Sequence, residues 1–130
     1  STIDAMPPSM KEERKTFVLF LPNREWHELG LLYSYYLLKK RGHKVIYLGA
    51  SVPTEDLKEY TSGADFDFFL TSINSTNAYK DLQSFVNQLS ESFPQGKILI
   101  SGYQFLVNEI KFPKNMHFIK NFDDLLEIIR

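Results

Sequence analysis

The sequence predicts an α/β protein whose five-stranded parallel sheet is wound on both faces, and three observations carry that prediction. Short continuous apolar runs such as TFVLFL suit strands buried on both sides. Stretches follow them in which apolar residues recur at spacings of three and four, as on one face of a helix. The two patterns alternate five times along 130 residues. Right-handed crossovers turn such an alternation into a parallel sheet covered on both sides.

The elements can be justified in order. KTFVLFLP, Lys15 to Pro22, is the first strand. Leu29, Leu32, Tyr33, Tyr36 and Leu37 mark the first helix, which RGHK ends at Gly42. KVIYLG is the second strand, and PTEDLKEY opens a short helix with Pro53 and an acidic first turn. The third strand, FDFFLTS, follows Gly63, and Tyr79, Leu82, Val86, Leu89 and Phe93 mark the third helix. KILIS is the fourth strand, and GYQFLVNEI after it reads as a short or poor helix. MHFIK is a weak fifth strand, and Phe122, Leu125, Leu126 and Ile129 place a last helix in NFDDLLEIIR. A flavodoxin-like (Rossmann-like) sheet of order 2-1-3-4-5 is the leading arrangement.

Composition fits one globular domain, with 43% hydrophobic and 15% aromatic residues. Residues 1–14 are polar, aperiodic and contain two prolines, so they read as a linker or arm before a domain at 15–130. The opening Ser1 suggests a segment cut from a longer chain. A net charge of -1 leaves no footprint for direct nucleic-acid contact. The absence of cysteine excludes a disulfide framework, a thiolate zinc site and a cysteine nucleophile. With no apolar run of membrane-spanning length and no signal peptide visible, a cytoplasmic location is expected.

Ligands of doubly wound sheets bind beyond the carboxyl ends of the strands, where the winding reverses. That rim collects the loops Pro22–His27, Ser72–Asn77 and Ser101–Gln104. In the first, EWHELG sets an imidazole between two carboxylates. A helix start disfavours an imidazolium, and the neutral ring is the form that ligates metals. A ligating histidine usually gives its other ring proton to a carboxylate, which Glu25 or Glu28 could accept. Equally, the two acids could serve the helix dipole while His27 is a surface residue. HELGL lacks the second histidine of a zinc protease helix, and His43 and His117 do not join His27. No nucleophile elbow, Walker loop or dinucleotide fingerprint is present, and no oxyanion hole is legible beside Ser72.

The rim resembles the cobalamin-binding domains of the methionine synthase and methylmalonyl-CoA mutase type. Their signature runs D-x-H-x-x-G, then S-x-L, then G-G, in the loops after strands one, three and four. Here Glu25, His27 and Gly30 fill the first part, Ser72 and Asn74 the second, and Ser101 and Gly102 the third. Forty-one residues separate Gly30 from Ser72, and 26 separate Asn74 from Ser101. Three departures stand out: Glu25 is a methylene longer than the usual Asp, Asn74 replaces Leu, and Ser101 replaces Gly. Within the family, the stretch from Glu25 to Pro53 looks closest to sensor domains of MerR-like transcriptional regulators.

The resemblance implies that His27 replaces the benzimidazole base as lower axial ligand of cobalt. It implies a hydrogen-bond relay through Glu25 and Ser72 behind that ring. It also implies a slot for the displaced nucleotide tail between the sheet edge and the first helix, lined by Gly30, Ser72, Ser101 and Gly102. Asn74 must then meet a loop backbone or face the tail, and Trp26 could lie near the corrin or brace its loop. Tyr103 completes the set of cofactor-binding candidates. The expected ligand is adenosylcobalamin or methylcobalamin, bound by a sensor that is not an enzyme. Its partners are an upstream helical bundle and a helix-turn-helix domain, with a homo-oligomer among the expected assemblies. The alternatives are a corrinoid carrier module of a methyltransferase or mutase, and a flavodoxin-like interaction domain that no longer binds cobalamin.

Overall fold

The computed structural model describes residues 13–75 and 81–130. Five strands, β1 (Thr16–Pro22), β2 (Lys44–Val52), β3 (Phe68–Ser72), β4 (Ile98–Ser101) and β5 (Met116–Phe118), form one parallel sheet of order β2-β1-β3-β4-β5. The expected order is the observed one. Between them run α1 (Leu29–Lys40), α2 (Thr54–Thr61), α3 (Leu82–Ser92) and α4 (Gln104–Val107), and α5 (Phe122–Ile129) closes the chain. The expected arm lies outside the described residues except for Glu13 and Arg14. Tyr79 and Asn77, expected in the third helix and its preceding loop, also lie outside them.

Successive strand residues point to opposite faces, so β1 to β4 each feed two cores. Phe17, Leu19, Leu21, Leu70 and Leu99 meet Leu31 and Leu38 of α1 and Leu125 and Ile129 of α5. Val18, Phe20, Phe69, Ile98 and Ile100 meet Leu57 of α2, Val86 and Leu89 of α3 and Phe105 of α4. Both sides of β1 and β4 are therefore buried, which is why those strands read as continuous apolar runs.

Local signals end the helices where the chain must turn. After α1, Gly42 takes φ 91°, and the amides of Gly42 and His43 donate to the carbonyls of Lys39 and Leu38. That is a Schellman termination, which the left-handed glycine allows. Asp81 and Asn121 cap α3 and α5 by accepting from Ser84 and Asp124 amides. His43 is buried, takes the Lys15 amide on Nδ1 at 3.0 Å and packs edge-on against Phe17. His117 is exposed on β5, so neither histidine approaches the rim. Among the described residues no helix is long and apolar enough to cross a membrane.

Candidate functional site

The histidine loop leaves β1 at Pro22 and is fastened to the end of β2. The pairing of β1 with β2 slips twice beyond Leu19, which carries the end of β2 out of simple register. Arg24 and Ser51 both adopt left-handed backbone, φ 71° and 53°. The Arg24 amide donates to Ser51 Oγ at 3.0 Å, and the Ser51 amide donates to the Glu25 carbonyl at 3.1 Å. Two non-glycine residues thus accept a costly conformation to hold one loop, the kind of strain that tends to gather at working sites. Nothing in the residue types at 24 and 51 signals this bracket.

Glu25 is wholly buried beneath the loop. Its Oε1 accepts the Ser75 amide at 2.8 Å and also the Asn74 amide. Its Oε2 accepts the Trp26 amide at 3.1 Å and lies 3.1 Å from His27 Nδ1. Burial alone would push this carboxyl up. The Ser75 and Asn74 amides, with smaller help from His27, outweigh burial and hold it below the usual carboxylate range. A carboxylate oxygen can only accept, so Nδ1 is the nitrogen that carries a proton toward Oε2, and Nε2 is the one left to face a ligand. The His27 side chain is 69% exposed on the rim. Glu28 plays no such part, for its carboxylate sits beside the Tyr47 hydroxyl. Burial first, and that charge second, push the phenol up to about 12.

Asn74 ties the loops together. Its amide donates to Glu25, its Oδ1 accepts the Tyr103 amide at 2.9 Å, and its carbonyl accepts Gln104 Nε2 at 3.0 Å. Its Nδ2 donates to Ser72 Oγ at 3.2 Å. Of the two expected roles, Asn74 takes the loop-backbone one. Between Glu25 and Ser72 the link runs through Asn74, whose amide donates to the carboxylate and whose Nδ2 donates to the hydroxyl oxygen. The longer Glu25 side chain fits this link, since its carboxylate reaches the backbone of the loop after β3. Gly102, expected along the slot, has a different task. It adopts φ 123°, and a Cβ there would lie 2.2 Å from the Ile73 carbonyl oxygen. Its missing side chain lets the β3 and β4 loops touch, so a substitution acts on the fold rather than on a ligand.

A cleft of about 330 Å3 opens beside this network, between α1 and α5 above the carboxyl ends of β3 and β4. That is the scale of a small-molecule site. Leu70, Ser72 and Ser101 lie along its floor, Gly30 and Tyr33 along one wall, Ile119 and Phe122 along the other. A Cβ built on Gly30 meets nothing within 4 Å. Of the four residues expected to line a slot, Gly30, Ser72 and Ser101 do so. The α5 wall was missed, because Asn121 and Phe122 look like ordinary helix-start residues in the sequence. Trp26 and Tyr103 are 69% and 56% exposed on the rim, so Trp26 does not brace its loop against the core.

Among the described residues no cluster of three or more His, Asp or Glu could hold a metal ion by itself. A single free histidine nitrogen instead suits a metal that arrives with its other ligands already in place. The donor chemistry and the open wall at Gly30 are compatible with a corrinoid. Solved structures that share this architecture include two corrinoid-related proteins. One is a cobalamin-binding protein from Desulfitobacterium hafniense DCB-2, at TM-score 0.65 and 19% identity over 89% of this chain and 58% of that one. The other is the monomethylamine corrinoid protein of Methanosarcina barkeri, at TM-score 0.64 and 16% identity over 87% and 55%. The chain thus spans less than three fifths of either protein's length. Comparison with curated protein sequences returned no match. The family model of the B12 binding domain matches residues 16–112, and the chain belongs to that family.

Proposed function

We propose that this domain is the corrinoid sensor of a MerR-like transcriptional regulator, with His27 as the lower axial ligand of cobalt. The observation that carries the cobalt assignment is the exposed imidazole pinned through Nδ1 to a buried, anionic Glu25 beside an open cleft. Nε2 of His27 would meet the metal, with Trp26 and Tyr103 beside the macrocycle. Gly30, Ser72 and Ser101 would line the path of the nucleotide tail. Asn74 and Gly102 hold the loops in register without touching it. The bound corrinoid, as adenosylcobalamin or methylcobalamin, supplies a cobalt–carbon bond whose state can be sensed. In this reading the domain performs no catalysis, works in the cytoplasm and passes its state to an upstream helical bundle and helix-turn-helix domain. Support for the regulator comes from the wording of residues 25–53.

A corrinoid carrier is the second reading, favoured by the likeness in fold to the monomethylamine corrinoid protein. Two experiments separate the readings. Methylcobalamin added to the purified chain should give a histidine-ligated, base-off absorption spectrum, and His27→Ala should remove that signature while the far-UV dichroism stays unchanged. A variant that keeps the signature overturns the ligand assignment. DNA binding by the longer protein should then change with corrinoid in the regulator and be absent in the carrier.

A further inference from the structure

α1 is apolar all round. Its inner face packs on the sheet through Leu31 and Leu38, yet its outer face exposes Leu29 (83%), Leu32 (44%), Tyr33 (61%) and Tyr36 (59%). Those four positions fall within one stripe at 100° per residue, and Lys40 continues it with its ammonium 5.8 Å above the Tyr36 ring. The other long helices expose polar side chains instead, such as Glu55 and Glu59 on α2, Asn87 and Glu91 on α3, and Asp123 and Glu127 on α5. A helix apolar on every side is normally buried on every side.

We infer that the outer face of α1 is an antiparallel, two-fold interface with a second copy of this chain. Under a two-fold axis crossing the helix between Leu32 and Tyr33, Leu29 of one copy meets Tyr36 of the other, and Leu32 meets Tyr33. Each contact is then leucine against tyrosine, a small side chain against a large one, and each occurs twice. Such self-complementarity is what an isologous interface requires. Charge selects the same orientation. The cations Lys39 and Lys40 lie at one end of the stripe only. Parallel pairing would bring them against their own copies, whereas antiparallel pairing sets them at opposite ends of the interface. The exposed parts of Leu29, Leu32, Tyr33 and Tyr36 come to on the order of 500 Å2, counting about 150–250 Å2 for a whole aromatic. Two copies would bury about 1,000 Å2, the least that a specific interface clears, so the dimer is a weak one. The pairing does not depend on the corrinoid reading.

Sedimentation equilibrium of the 130-residue chain, without corrinoid, from micromolar to millimolar concentration tests this. A monomer–dimer equilibrium is expected, and Leu29→Glu or Tyr36→Glu should each weaken it at least about tenfold. Tyr60→Glu, at an exposed aromatic on α2, should not. The chain has no cysteine, so the register can be read directly. Mixed Leu29→Cys and Tyr36→Cys chains should join through a short thiol-reactive linker, while Leu29→Cys alone should join poorly. A monomer throughout, a dimer indifferent to both α1 charges, or efficient self-linking of Leu29→Cys would each overturn the inference. The first result would leave α1 to another segment of a longer protein.

Discussion

The two faces of this sheet are filled by different rules, although the same strands supply both. On the α2, α3 and α4 side, aromatic rings close the layer. Phe20 meets Phe69 at 5.8 Å, Phe69 meets Phe93 at 4.7 Å, and Phe105 meets Phe118 at 5.9 Å between centroids. On the α1 and α5 side, Phe17 stacks on Phe68 and leucines extend the layer, but only part of the way. There Leu70 is followed by Ser72 and Leu99 by Ser101, at the carboxyl ends of β3 and β4. The difference teaches that a ligand cleft needs no separate domain. Two small residues on alternate positions open one face while the opposite face stays packed.

The largest effect should come from spoiling the closed side. Phe69 is 1% exposed and packs against three other rings. Phe69→Ala should cost about 3–5 kcal/mol in denaturant unfolding. If it costs less than the truncations on the cleft side, the closed layer is not the stabilising one.

The rim that separates the two faces should respond next. Glu25→Gln puts an amide donor among backbone donors and leaves at least one unsatisfied, at about 1–3 kcal/mol. The sign of the pH dependence follows from the lowered carboxyl. Because the folded pKa lies below the unfolded value of about 4.3, the unfolded chain binds more protons in that window. The stabilisation by Glu25 is complete above the unfolded value and is lost as pH falls through the folded one. The gap between native chain and variant should therefore narrow on acidification. A gap that widens would show that Glu25 is not held as an anion.

Much of the closed side was legible in the sequence, and rather less of the rim. Continuous runs such as Phe17–Leu21 announce strands buried twice, and Gly42 announces the end of α1 by a need for left-handed backbone. The motif positions Glu25, His27 and Gly30 also stand together where the spacing puts them. What closes around Glu25 could not be read, because its partners are the backbone amides of residues 26, 74 and 75. Every residue type carries such an amide, so no pattern of side chains records it. Gly102 misled for a related reason. A glycine that admits a ligand and one that admits another loop look alike until the Ile73 backbone is seen above it.

The bracket from β2 offers a finer test of the rim. Ser51→Gly removes the acceptor of the Arg24 amide but relieves left-handed strain, so stability should stay within about 1 kcal/mol. The His27 loop should nevertheless loosen, which hydrogen exchange at Glu25 and Trp26 amides would register. Unchanged protection would mean that Glu25's own bonds suffice to fix the loop.

The smallest effect on folding should accompany the most selective effect on binding. Gly30 stands in the first turn of α1, with no left-handed φ and open space where its side chain would be. Gly30→Leu should leave stability within about 1 kcal/mol, because the helix gains what the added apolar exposure costs. The new side chain would stand in the cleft, in the path of a nucleotide tail. Cobalamin affinity should then fall at least about tenfold, which is about 1.4 kcal/mol. Cobinamide, which has no tail, should bind both proteins alike. Equal losses for the two corrinoids would place the tail elsewhere, and no loss for either would mean that the cleft between α1 and α5 is not where the corrinoid enters.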